Sequence, residues 1–413
     1  MVKDMYTLCG CTVDEIVVLK LIQSVFGKYD LLAEDCKGAD WYKVFEELCR
    51  QSVAALPIET VGNMSYAIPK DLLEKWRCYV IRTIARFEQG LIWQDELYKL
   101  FESEEYKIAI LKGTATAKYY PDPFLRNVGD IDFLVTRKHY MDAYELLKSN
   151  GYELVGTIDE EKHHISMCRK GANVEIHKEP NGISQKFYGD IIRKMYDNFE
   201  NYTVMQSIGG HRFYCLDKKL NGLVLLLHIA SHIDSGLGLR QLCDWMVYVE
   251  AELDDEYWYA EFQPLLHDIG LEKLAVISTG VCKHFLGLSK DITWCDGADR
   301  KLCADLMRFV LDGGLFGRKK ERPEKSNDFL GRSKGNQGKF FLINVISNLQ
   351  KRGVELMELD GRKIHVGHMA WTYPITRYAR KILKGKKKFS DMVSVIREVE
   401  KNKRLRNRLE IYK

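Results

Sequence analysis

The stretch Leu111-Lys-Gly-Thr-Ala-Thr-Ala-Lys-Tyr-Tyr120, followed by Arg126 and then Gly129-Asp-Ile-Asp-Phe-Leu-Val135, decides how this chain is read. Just before it, Ile108-Ala-Ile-Leu111 reads as a short buried strand that meets a turn at Lys112-Gly113. A helix is expected to begin at Gly113-Thr114. Glycine lets a ligand approach the backbone closely, and the first N–H groups of a helix point outward with the positive end of its dipole. With the Thr114 hydroxyl added, such a junction can hold a phosphate chain. An ordinary strand-to-helix turn uses the same residue types, so the pair alone leaves both readings open.

Asp130-Ile-Asp132 adds the chemistry. Residues two apart on a strand share a face, so both carboxylates converge while Ile131 and Phe133 face the other way. Two carboxylates held so close repel unless a cation lies between them. Hard divalent ions such as Mg²⁺ take oxygen ligands of this kind together with substrate phosphates. A solvated acidic turn is the alternative, and the apolar strand residues around the pair argue against it. A third strand, Asn173-Val-Glu-Ile-His177, puts Glu175 and His177 on one face and Val174 and Ile176 on the other. Were it to lie beside the Asp130 strand, Glu175 would complete a three-carboxylate site. Two metals about 3.5–4 Å apart could then clamp the attacking and leaving oxygens of an in-line displacement.

Outward from this centre, residues 139–149 read as a helix and Gly151 opens another strand. His163 to Arg169 and Asn173 to His177 form a hairpin pattern turned at Lys170-Gly171. Residues 105–216 therefore read as a compact α/β unit. Residues 1–104 read as an N-terminal helical region. In it, Thr12-Val-Asp-Glu15 looks like a capping box before an apolar run, and helical patterns follow at about 40–55 and 69–103. The last of these leaves a break near Gly90 open. Residues 217–312 return to a helical period, and 313–413 form a glycine-rich, then lysine-rich, basic region. No internal repeat is visible.

The 413 residues are 46% apolar and 11% aromatic, which excludes a disordered chain. The formal net charge of +4 hides a gradient. From Gly313 onward there are 26 Lys+Arg against 10 Asp+Glu, and the remainder holds 36 against 48. The basic end, with Lys384-Gly-Lys-Lys-Lys388 and Lys401 to Arg408, is a candidate docking element. Its partner would be RNA, an anionic membrane surface, an acidic protein or the acidic remainder of its own chain. Tyr373 to Leu383 has the amphipathic look of a surface-lying helix. No apolar run approaches the ~20 residues of a membrane span, and no secretory signal is apparent. The expectation is a cytoplasmic protein, with peripheral membrane association open. The eleven scattered cysteines fit buried thiols, not a disulfide framework or a zinc ribbon.

The order Gly-Thr, Asp-x-Asp, then a later acidic strand resembles the polymerase-β-like nucleotidyltransferase superfamily. More closely, Leu111-Lys-Gly113, Tyr119-Tyr-Pro-Asp-Pro123, Arg126, Gly129-Asp-Ile-Asp132 and Glu175-Ile-His177 resemble an uncharacterised bacterial nucleotidyltransferase family. The segment with His228, His232, Leu239-Arg240 and Asp244 is similar as well. Resemblance covers roughly 105–290. Thr114 stands where the superfamily has serine, and the interval from Gly113 to Asp130 is longer than usual. The resemblance implies an α+β fold whose short mixed sheet carries helices and is flanked by helical regions. It implies a metal-dependent enzyme that transfers a nucleoside monophosphate from an NTP to a hydroxyl acceptor and releases pyrophosphate. In that reading Gly113 and Thr114 hold the β- and γ-phosphates, while Lys112 or Arg126 neutralises charge. Asp130 and Asp132 bind Mg²⁺, with Mn²⁺ as the alternative ion, and Glu175 completes the metal site beside the acceptor hydroxyl. A non-catalytic nucleotide-binding or scaffold protein of the same fold is the competing reading.

Three weaker signals remain. His228 and His232 have an i, i+4 spacing that can bind zinc, yet a hydrogen-bonded cleft wall fits an apolar helix better. Arg240 and Asp244 read as a helix-surface pair or a substrate contact. Strand alternation puts His163 and His164 on opposite faces, so at most one of them lines a cleft.

Overall fold

In the computed structural model, which describes residues 2–27, 29–158, 163–184, 187–313 and 400–413, the capping box at Thr12 starts the first long helix as its sequence dictates. The Thr12 hydroxyl accepts from the Glu15 N–H, and the Glu15 carboxylate accepts from the Thr12 N–H. Helix α1 spans Val2–Cys9 and α2 Val13–Phe26. They are followed by α3 (Trp41–Arg50), α4 (Ile58–Asn63) and the 32-residue α5 (Lys70–Phe101). Helix α5 runs through Gly90 without a break. Glycine there costs about 1 kcal/mol against alanine, but Trp76, Val80, Thr83, Phe87, Leu91, Gln94, Leu97 and Phe101 are buried at helical spacing on both sides of it. One continuous buried stripe outweighs one poor helix former.

The sheet has seven strands: β1 (Ala109–Ile110), β2 (Ile131–Leu134), β3 (Glu153–Leu154), β4 (His164–Arg169), β5 (Ala172–His177), β6 (Thr203–Ile208) and β7 (His211–Leu216). Their order across the sheet is β3-β4-β5-β2-β1-β7-β6. The pairs β2–β5 and β1–β7 are parallel and the other four antiparallel. The β4–β5 hairpin turns at Lys170-Gly171, both at positive φ. The β6–β7 hairpin, which the sequence reading passed over, turns the same way at Gly209-Gly210, with φ of 57° and 85°. Positive φ at both central residues is the two-residue turn that matches strand twist. Helix α6 (Gly113–Ala117) follows β1, and α7 (Tyr140–Ser149) leads back to β3. Phe87 and Phe101 of α5 pack into one buried cluster with Phe133, Ile176 and Phe213 of the sheet. The fold is α+β, and that apolar face leaves the opposite face of β2 and β5 for polar side chains.

After α8 (Phe187–Tyr196) and the β6–β7 hairpin come α9 (Lys218–Ser235) and α10 (Leu239–Glu252), which pack on each other. They can approach closely because Gly222 presents no Cβ to the Tyr248 ring. All eleven cysteines are unpaired and seven are buried, the small-hydrophobe role expected of them.

Residues 1–319 with 406–413 form one compact unit, and 320–405 a second. Nearly all of the second unit, including the glycine-rich stretch, Tyr373 to Leu383 and Lys384 to Lys388, lies outside the described residues. Residues 406–413 return to the first unit. Arg406 pairs with Asp234 at 3.0 Å and Arg408 with Asp305 at 2.6 Å. Leu409 and Ile411 are buried, and the Tyr412 N–H donates to the Gly270 carbonyl at 2.7 Å. This last basic stretch docks on acidic residues of its own chain. No described helix is long and apolar enough to cross a membrane.

Candidate functional site

Strand β1 ends in a backbone conformation that side chains other than glycine seldom adopt. Lys112 has φ 49° and ψ −142°, and Gly113 has φ 43°. The turn sends the Lys112 side chain back across the sheet, where its ammonium meets Asp132 Oδ1 at 3.1 Å. The Leu111 N–H donates to the Asp132 carbonyl, which ties the end of β1 to β2 beside the carboxylate. Thr114 is buried, and its hydroxyl donates to Gln94 Oε1 of α5 at 2.7 Å. In this arrangement Thr114 anchors α6 to the long helix.

The parallel pairing of β2 and β5 sets Asp132 opposite Glu175 and Leu134 opposite His177. The alternation is as read from sequence: Ile131, Phe133, Val174 and Ile176 are buried in the apolar face, and Asp132, Glu175 and His177 share the other. His177 Nε2 lies 2.9 Å from Asp132 Oδ1 and 3.3 Å from Glu175 Oε2. Asp132, Glu175 and His177 each present one potential metal-ligand atom, all within 4.8 Å of one another. Asp130, just before β2, is more exposed and outside that close set.

The charges interact strongly. Burial favours a neutral Asp132, but Lys112 and the His177 hydrogen bond outweigh it and hold the carboxyl well below its usual range. Asp130 shifts the other way, raised by the protein around it and then by the charges of Glu175 and Asp132. Burial opposes protonation of His177, while its bonds to Asp132 and Glu175 raise its pKa. His164, 3.5 Å from Glu175, is pushed down to about 4, chiefly by burial. The cluster holds more carboxylate than cation, the electrostatic condition for taking up a divalent ion.

His163 and His164 both reach this cluster. Their rings lie 5.6 and 5.2 Å from that of His177, and His164 Nδ1 is 2.9 Å from His163 Nε2. Alternation does not separate them because β4 begins at His164, and His163 lies outside the pleated stretch.

The helical side contributes a different kind of contact. Arg126 is 4% exposed and grips both oxygens of Asp244 on α10, at 2.8 and 2.7 Å. The Tyr120 hydroxyl donates to the same carboxylate at 2.7 Å. Arg126 thus fastens the Tyr-Pro-Asp-Pro segment to the helices and does not join the carboxylate cluster. Asp244 therefore pairs with Arg126 and Tyr120, while Arg240 Nη1 donates to the Asn127 carbonyl at 3.2 Å. Nothing in local spacing signals the Arg126–Asp244 pair, since 118 residues separate its members. On α9, His228 and His232 meet through their Nε2 atoms at 2.9 Å. His232 Nδ1 lies 3.0 Å from the Gly236 carbonyl, an acceptor only, so Nδ1 carries the proton there. The two form a hydrogen-bonded wall. Burial first, then the nearby charges of His232, Lys112 and Arg240, keep His228 neutral.

Residues 37–287 match a protein family described as uncharacterised nucleotidyltransferase. The chain belongs to this family. The matched span contains the whole carboxylate and histidine cluster together with its α9–α10 wall. No curated protein matches the sequence. Among solved structures, an antigenic nucleotidyltransferase-like protein from Paracoccidioides brasiliensis is similar at 17% identity, over 44% of this chain and 87% of its own, with a TM-score of 0.30. At that level the likeness carries no argument about the site. For this nucleotidyltransferase family member, the geometry of its own residues has to supply the chemistry.

Proposed function

We propose that the protein is a metal-dependent nucleotidyltransferase that moves a nucleoside monophosphate from an NTP to a hydroxyl acceptor. The observation that carries this is the register of β2 and β5, which sets Asp132 beside Glu175 within a family-matched segment. The donor set fits Mg²⁺ or Mn²⁺: carboxylate oxygens of Asp132 and Glu175 in the close set, Asp130 at its edge, and a cationic ammonium already drawn to the same oxygens. A bound divalent ion supplies Lewis-acid stabilisation of charge on the phosphoryl oxygens.

Within that reading, Asp130, Asp132 and Glu175 hold the ion. With a cation held there, the Lys112 ammonium would be available to the triphosphate, and the N–H groups following Gly113 would face the phosphates. Glu175 accepts the proton of the acceptor hydroxyl. The hydroxyl oxygen bonds to the α-phosphorus, the bond to the bridging oxygen breaks, and pyrophosphate leaves. Thr114 and Arg126 serve by placement, through Gln94 and Asp244, and His228 walls the acceptor side.

The test is incubation of the protein with each α-labelled NTP, Mg²⁺ and cell extract, beside the Asp130→Ala/Asp132→Ala variant. Label transferred by the wild type and absent with the variant supports the proposal. No difference between the two, with NTP binding retained, favours a non-catalytic nucleotide-binding protein instead.

A further inference from the structure

A hard-ion site made of carboxylates does not account for the three imidazoles beside it. His163, His164 and His177 each offer one ring nitrogen within 4.8 Å of the other two. His163 and His177 are buried, and His164 is partly so. The antiparallel register of β4 and β5 sets His164 directly opposite His177, so the pairing is built into the hairpin. Three imidazoles packed this closely gain little apolar burial, and they bring several polar nitrogens into the interior.

His177 shows what the cluster lacks. Its Nε2 faces Asp132 Oδ1 at 2.9 Å, a carboxylate that can only accept, so Nε2 carries the proton. Its Nδ1 is buried without a hydrogen-bond partner among the described residues, in either charge state of the ring. A polar nitrogen buried without a partner is costly, and a ligand that engages it removes that cost. A histidine whose second nitrogen donates to a carboxylate is also the usual arrangement of a metal-ligating imidazole, because the outer partner fixes the tautomer and raises ligand basicity.

We propose that His163, His164 and His177 form a binding site for a nitrogen-preferring transition-metal ion of the Zn²⁺ class, next to the carboxylate site and built mainly of imidazole nitrogen, with Glu175 at the boundary of the two. Imidazole suits Zn²⁺, whereas Mg²⁺ is held by oxygen. Glu175 sits at the rim, 3.5 Å from His164 Nε2, where it can serve as a fourth ligand. The nitrogens need only draw inward to reach the ~2.0–2.1 Å bonds of zinc. The ion would pin the β4–β5 hairpin and orient Glu175, whether or not the protein transfers nucleotides.

The experiment uses the full chain, stripped with a chelator and dialysed, and titrated with Zn²⁺ in excess Mg²⁺ against a chromophoric competitor. One Zn²⁺ per chain is expected. His163→Ala/His164→Ala should weaken it beyond the roughly 10- to 100-fold that loss of an outer partner costs. Asp132→Asn should fall within that range, and Asp130→Ala should leave it unchanged. Substitution with Co²⁺ gives a readout that needs no variant. Strong visible bands of a four-coordinate nitrogen site support the proposal, and the weak bands of a six-coordinate oxygen site overturn it. Zinc affinity untouched by the double histidine variant, or lost only with Asp130 and Asp132, overturns it too. So does a cobalt–thiolate charge-transfer band, which would place the ion on cysteine. None of these readings involves nucleotide, so failure here and failure of the transfer assay are separate results.

Discussion

Two places in this molecule set a cation against an aspartate, and they are built to opposite ends. Between the Tyr-Pro segment and α10, Arg126 and Asp244 meet through two bonds with side chains 5% and 2% exposed, and Tyr120 adds a third donor. At the end of β1, Lys112 and Asp132 meet through one contact of 3.1 Å, at 14% and 15% exposure, with His177 2.9 Å from the same oxygen and the charges of Glu175 and Asp130 close by. The first pair is closed: a planar guanidinium fork matches the carboxylate through two bonds, with both side chains out of solvent. The second has surplus negative charge and a point-like ammonium on a flexible stem. One contact fastens; the other, in the proposed reading, gives up its cation to a bound ion.

Breaking the closed pair should have the largest effect. Asp244→Ala leaves Arg126 buried without a counter-charge and is expected to cost about 3–5 kcal/mol in denaturant melts. Tyr120→Phe/Arg126→Met/Asp244→Leu replaces the whole network with apolar groups and should recover most of that loss. If Asp244→Ala melts like wild type, the pair is not the fastening described here. Breaking the open pair should reverse the balance of readouts. Asp132→Ala is expected to lower label transfer by about 10²–10³-fold or more, while its melt shifts less than that of Asp244→Ala, because Glu175 and Asp130 remain to balance Lys112 and His177. A melt shift as large as that of Asp244→Ala would erase the distinction.

Lys112→Met sharpens the comparison at the cation. It should raise KM for the NTP about tenfold with a smaller change in kcat, as expected when binding charge is removed; the reverse split would assign Lys112 to the chemical step. The smallest effect belongs to the surface contact of the C-terminal segment. Partial burial pulls the Asp305 pKa upward, but its bonds to Arg408 and Lys301 win and hold it below the usual 3.8. That contribution is full above about pH 3.8 and is lost as pH falls through the lower folded value. Arg408→Ala should remove part of this acid limb of the melt, a change under about 1 kcal/mol that moderate salt also suppresses.

What the sequence made legible follows the same division. The capping box at Thr12, the turn at Lys170-Gly171 and the alternation through Ile131-Asp-Phe133 and Asn173-Val-Glu-Ile-His177 depend on neighbours a few residues apart, and each took the form expected, while Asp130 precedes β2 and stays outside the close set. The companionship of Asp132 and Glu175 needed strand order, which spacing alone does not supply. Thr114 reads as a phosphate donor from its place after Gly113, yet Gln94 of α5 takes its hydroxyl. Asp244 reads as a partner of Arg240 one turn away, yet Arg126 takes it from a distant segment. His163 and His164 read as split by alternation, yet both reach the cluster because the start of β4 falls between them. Each difference arises where a tertiary partner overrides a local period.

The two-residue strand β1 has a consequence for how the site can move. It lies mid-sheet, with β2 antiparallel on one side and β7 parallel on the other. So short a strand is the natural seam along which the two halves of the sheet would shear. All the carboxylates and the three histidines stand on the β2 side of that seam, so shear would leave their mutual spacing intact. Lys112 rides on the seam itself. Its distance to Asp132 is therefore a gauge of the sheet's deformation, and the amide protons of Ala109 and Ile110 are the place to watch for it by hydrogen exchange.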